Sequence, residues 1–154
     1  EFSSLNIGNI THLILRLTAS FCGVFGFSIM FNSSIPMAAT TAVIGAIANT
    51  LRLELVDFTA IPAAAAAFIG AVTSGLLASF IKKYNGYPRI SLTVPSIVIM
   101  VPGLYLYRAI YNFGIMSLTE AVSWFTSAVM IIIALPLGLI FERIITARPF
   151  RYCT

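Results

Sequence analysis

Five apolar runs, each about long enough to cross a bilayer, follow one another along this chain with only short polar breaks between them. Hydrocarbon offers no water to backbone N–H and C=O groups, so each run must satisfy its own backbone, as a helix does. The runs cover roughly residues 10–31, 36–55, 59–81, 91–112 and 119–141, matching the ~20 residues that a helix needs to span a ~30 Å core. Only 9% of the residues are charged, against about 25% in an average soluble domain. The expected fold is all-α: a polytopic membrane helix bundle of five transmembrane helices, forming one domain over residues 1–154. That length is too short for both repeats of a two-repeat transporter.

The fourth run differs from the others. From Ile90 to Tyr111 it reads ISLTVPSIVIMVPGLYLYRAIY, with Pro95, Pro102 and Gly103 inside it. Proline removes a backbone donor and clashes with the carbonyl one turn back, so a kink or break is expected at Pro102-Gly103. Counted from Ser91, Pro102 lies about 17 Å along a helix rising ~1.5 Å per residue, near the middle of the core. Interrupted spans point to transporter binding sites, and proline also serves as a plain kink in membrane helices. The prolines alone leave both readings standing.

Turn residues and charges set the topology. Asn32 closes the first run as a C-cap or turn residue, Ser34 is a candidate N-cap and Pro36 suits a first helical turn. Ser117 to Glu120 make a capping-box pattern before the fifth run. With five spans, Lys82, Lys83, Arg89, Arg143, Arg148 and Arg151 fall on one side. The other side carries mainly Arg52 and Arg108 with Glu54, Asp57 and Glu120. Dropping the second run would put the Lys82-Lys83 loop and the C-terminal arginines on opposite sides. The positive-inside rule therefore favours five spans, with the N-terminus outside and the C-terminus in the cytoplasm. The net charge of +4 sits at span ends and is no nucleic-acid signal.

Small residues at four-residue spacing mark helix faces that approach closely. The third run carries two such ladders, Ala63, Ala67, Ala71, Gly75, Ser79 and Ala66, Gly70, Ser74, Ala78; the second run carries Thr41, Gly45, Asn49, continued by Arg52. These faces expect partners within this chain, in a second copy or in another protein.

Charged side chains within spans are costly and are functional candidates by default. Arg16 shares a face with His12 and Ser20, and is near enough to a span end to snorkel. Arg52 and Arg108 lie near Glu54, Asp57 and Glu120, and either pair with them or hold a substrate carboxylate through a bidentate fork. Asn49, one turn before Arg52, adds a neutral donor and acceptor. Tyr105, Tyr107 and Tyr111 around Arg108 suit an aromatic belt at the interface. Glu120 and Glu142 flank the last run at opposite ends, too far apart for joint acid–base work. His12 is the one histidine, and Cys22 and Cys153 form no CxxC, so no metal site is expected. Without a nucleophile elbow or a glycine-rich phosphate loop, no enzyme, catalytic residue or cofactor is expected. An ion gradient, protons first, is then the expected energy source, with no residue singled out to carry it. No cleavable signal peptide is evident. The first residue is Glu1 rather than Met, as in a fragment or one half of a larger protein.

Three segments, FGFSIMFN (Phe25 to Asn32), AVIGAIANTLR (Ala42 to Arg52) and VPSIVIMVPGLYLYRAI (Val94 to Ile110), together resemble the threonine/serine exporter family. The likeness is closest to its small subunit, equivalent to the C-terminal membrane half of fused exporters, and runs over nearly the whole chain. Asn49 stands where some relatives carry a histidine, and Arg108 where a small residue is common. The resemblance implies a bacterial inner-membrane protein exporting small hydrophilic acids, either threonine and serine or a dicarboxylate such as succinate. It also implies a larger partner subunit with a soluble N-terminal region. On this reading Arg52, helped by Asn49, contacts a substrate carboxylate, Arg108 beside Tyr107 is the second candidate, and Pro95, Pro102 and Gly103 line the path. The competing expectation is a membrane-embedded structural or assembly subunit with no path of its own, supported by the small-residue ladders and the scarcity of buried charge.

Overall fold

The computed structural model describes residues 2–146, with side chains from Gly8 onward, so Arg148, Arg151 and Cys153 lie outside the described residues. Six helices follow in order: α1 (Phe2–Met30), α2 (Ile35–Phe58), α3 (Ala63–Asn85), α4 (Arg89–Val98), α5 (Gly103–Gly114) and α6 (Leu118–Thr146). The described residues contain no strand. Four of these helices singly, and α4 with α5 together over Arg89–Gly114, are long and apolar enough to cross a membrane, which makes five spans.

The turns follow from local chemistry. Asn32 takes a left-handed φ of 59°, a conformation that asparagine tolerates better than most side chains. Ser34 is the extended N-cap of α2, where its side chain makes no capping bond, and Pro36 lies in the first turn. Gly86 caps α3 at φ 69°, and its N–H donates to the Lys82 carbonyl at 3.1 Å; lacking Cβ, glycine enters this left-handed region without steric cost.

The small-residue ladders determine how the helices pack. On α3, the ladder through Ala71 and Gly75 meets α6: a Cβ on Gly138 would sit 2.8 Å from the Ala71 Cβ, and one on Gly75 would sit 2.7 Å from Glu142 Oε2. The ladder through Gly70 and Ala78 faces α2 instead, where a Cβ on Gly70 would come within 3.3 Å of the Arg52 Cβ. Gly45 in turn lets α2 close on Val24 of α1, 2.5 Å from where its Cβ would be. The central core gathers Ala48, Ala67, Ala71, Met100, Ile131 and Leu135 from four spans, and Ile44, Ala78 and Leu92 form a second cluster. Close backbone approach gives the van der Waals contact that holds such a bundle when lipid supplies no hydrophobic drive.

The fourth span breaks where the prolines predicted. Pro95 lies inside α4 without ending it, whereas Pro102 is the N-cap of α5. The last turn of α4 tightens, with Met100 N–H donating to the Ile97 carbonyl at 2.9 Å and Val101 N–H to the Val98 carbonyl at 3.1 Å. Helical bonding resumes at Leu106 N–H, which donates to the Pro102 carbonyl at 3.1 Å. Met100 is fully buried in the central core and Pro102 is buried beside it, while Val101 and Gly103 face outward, so one side of the break lies against the bundle core.

Candidate functional site

Arg52 of α2 reaches the break directly. Its Nη1 donates to the Met100 carbonyl at 3.3 Å, and its Nε has no hydrogen-bond partner among the described residues. Met100 is the twelfth of the 26 residues of the span Arg89–Gly114, which brings a cation to mid-bundle. Gly70 makes this possible, because the Arg52 Cβ passes over it. An arginine with free donors beside an opened backbone can hold a carboxylate through charge-assisted hydrogen bonds.

The other sequence candidates take separate places. Asn49 turns away from the break: its Nδ2 donates to Ser20 Oγ of α1 at 2.8 Å, both groups buried, and its Oδ1 has no partner among the described residues. Arg108 lies exposed on α5 with its guanidinium 4.7 Å from the Trp124 ring centroid, a cation–π contact. Tyr107 is 65% exposed and stacks on Tyr111. Pro95 and Pro102 are buried, and Gly103 is exposed. The structure thus brings Arg52 to the break and leaves Asn49, Arg108 and Tyr107 elsewhere.

Two polar clusters depart from the sequence expectations. Glu54 and Asp57 are taken by neither Arg52 nor Arg108 but by Arg16 of α1, whose Nη1 donates to Glu54 Oε1 at 2.8 Å and whose Nη2 pairs with Asp57. Arg16 is therefore ion-paired rather than merely snorkelling. The reason is helix adjacency: α1 packs along α2, so the arginine midway along α1 meets the acids near the end of α2.

The second departure is Glu142. Drawn by hydropathy, the last span stops at Phe141 and leaves Glu142 at its border; the helix in fact continues to Thr146. Glu142 is completely buried. Its Oε1 accepts hydrogen bonds from Ser79 Oγ of α3 at 2.8 Å and Thr146 Oγ1 at 2.7 Å, and its Oε2 pairs with Arg89 at the start of α4. Ile144 and Ile145, apolar residues just past the charges, were the available signal that the helix runs on.

The sequence model of a family described as "Threonine/Serine exporter, ThrE" matches residues 16–145. Comparison with curated proteins and with solved structures returned no match. The matched stretch contains every helix but the first half of α1 and the last residue of α6, and both the break and the buried Glu142 fall within it. The chain is a multi-pass membrane protein that belongs to the threonine/serine exporter family, a family of transporters.

Proposed function

We propose that the chain is one half of a secondary exporter that moves small hydrophilic acids, threonine and serine or a dicarboxylate such as succinate, out of a bacterial cell. It works with a larger partner half in the inner membrane, its N-terminus outside and its C-terminus in the cytoplasm. It performs no chemical reaction. Family membership over residues 16–145 supports export, and the observation that carries the mechanism is Arg52 at the carbonyl of the buried Met100 beside the break in the fourth span. On this proposal the Arg52 guanidinium exchanges the weak bond to Met100 for a substrate carboxylate as the substrate passes mid-membrane. The break keeps backbone dipoles open along the same stretch, as in other interrupted transporter helices.

The test is efflux of preloaded labelled serine, threonine and succinate from cells carrying this chain, its partner half, or both. Export by the pair alone supports a two-part exporter and names the substrate. No export from the pair, with both chains in the membrane, favours a structural subunit. Arg52→Gln is expected to cut export by about tenfold or more, since a hydrogen bond to a charged group is worth roughly 1.5–3 kcal/mol. Unchanged export at normal protein level would remove Arg52 from the path.

A further inference from the structure

A buried ion pair contributes little to stability as such, because desolvating both charges offsets their attraction, and apolar residues of equal volume hold helices together at least as well. The Glu142–Arg89 pair is nonetheless built with care. Gly75 leaves no Cβ so that the carboxylate can lie against α3, two hydroxyls satisfy one of its oxygens, and Arg89 meets the other. Beside the pair opens a cavity of about 520 Å³, lined by Lys82, Arg89, Thr93, Arg143 and Glu142 among others. Its charged lining is three cations against one carboxylate, an excess of two positive charges. Among the described residues neither Lys82 nor Arg143 has an acidic partner. The volume falls within the ~300–1,000 Å³ of small-ligand sites.

We infer that this cavity is a carboxylate-binding site whose occupancy is controlled by Glu142. Arg89 is the group that a small carboxylate takes, and Glu142 is the internal competitor that holds it when the site is empty. A carboxylate that displaces Glu142 from Arg89 enters a lining that also carries Lys82 from α3 and Arg143 from α6, so the incoming charge and that of Glu142 are both met by cations. Removing the internal competitor therefore strengthens anion binding, and removing Arg89 weakens it. The site lies at the opposite end of the bundle from Arg16, Glu54 and Asp57, and by the topology proposed above it faces the cytoplasm, where an exported acid is loaded. Only the identity of the anion rests on the exporter reading.

The full chain, purified with its partner half, is tested for binding of radiolabelled serine, threonine, succinate and, as a carboxylate independent of that reading, acetate. Expected are affinity about tenfold or more higher in Glu142→Gln, since a full negative competitor has been removed, and a loss of similar size in Arg89→Gln. Acetate binding with these two shifts while the three acids fail to bind upholds the site and overturns the substrate class. Binding of any of the acids with no change in either variant overturns the site while leaving the exporter reading intact. Failure of all four to bind overturns the site. Loss of a bound phospholipid from Arg89→Gln by native mass spectrometry, with carboxylate binding unchanged, assigns the cavity to a lipid phosphate and also overturns it.

Discussion

Two glycines of this chain have opposite surroundings. A Cβ on Gly75 would lie 2.7 Å from Glu142 Oε2 and 2.9 Å from its Cδ, whereas a Cβ on Gly26, near the C-terminal end of α1, meets nothing within 4 Å. Gly75→Ala must then push the carboxylate off its hydroxyls or part α3 from α6, an overpacking cost of about 1–3 kcal/mol. Gly26→Ala adds only helix propensity and is neutral or slightly stabilising. Thermal unfolding of the detergent-purified variants checks both: a midpoint several degrees lower for Gly75→Ala and unchanged or raised for Gly26→Ala. Equal midpoints would mean that Glu142 does not rest on Gly75. Gly75 was legible as a member of a small-residue ladder, yet its sequence neighbours hold no hint of the carboxylate above it. That contact joins residues 67 positions apart and exists only once α3 and α6 are side by side.

At the scale of the elements, the interrupted span is the part of the fold most fully written in the sequence. Proline acts on its own helix, through a missing donor and a local clash, so Pro102 could be read without knowing any neighbour. Hydropathy likewise marked five spans, because lipid tests each segment separately. Helix adjacency is not local, and the readings that depended on it went astray: Arg16 pairs with acids that the sequence offered to Arg52 and Arg108, and α6 runs through a charge that its hydropathy placed at a border. The break divides its span between different neighbours, for α4 packs on α2 and α3 while α5 packs on α6. Pro102→Ala restores the missing donor and favours one continuous helix, which withdraws the Met100 carbonyl from Arg52. Export is expected to fall at least about tenfold, the size of one charge-assisted contact, with the protein still in the membrane. Export at the unaltered rate would show the break to be dispensable.

Across the whole molecule, charge is sorted by end. Arg16, Glu54 and Asp57 gather at one end, and Lys82, Arg89, Arg143 and Glu142 at the other. The proposed orientation predicts that a single cysteine placed between Lys82 and Arg89, in a chain whose Cys22 and Cys153 have been replaced, reacts with an impermeant reagent only after the cells are opened. Reaction in intact cells would invert the topology. The two ion-paired clusters also differ in a way that matters while the chain is being made. Arg16 emerges some forty residues ahead of Glu54 and Asp57, so α1 meets the bilayer with its charge unmatched and settles only as a hairpin with α2. Glu142 emerges after Ser79 and Arg89. The last helix, whose buried acid lipid alone would reject, finds its hydroxyl and its cation already waiting, and its insertion depends on the helices synthesised before it.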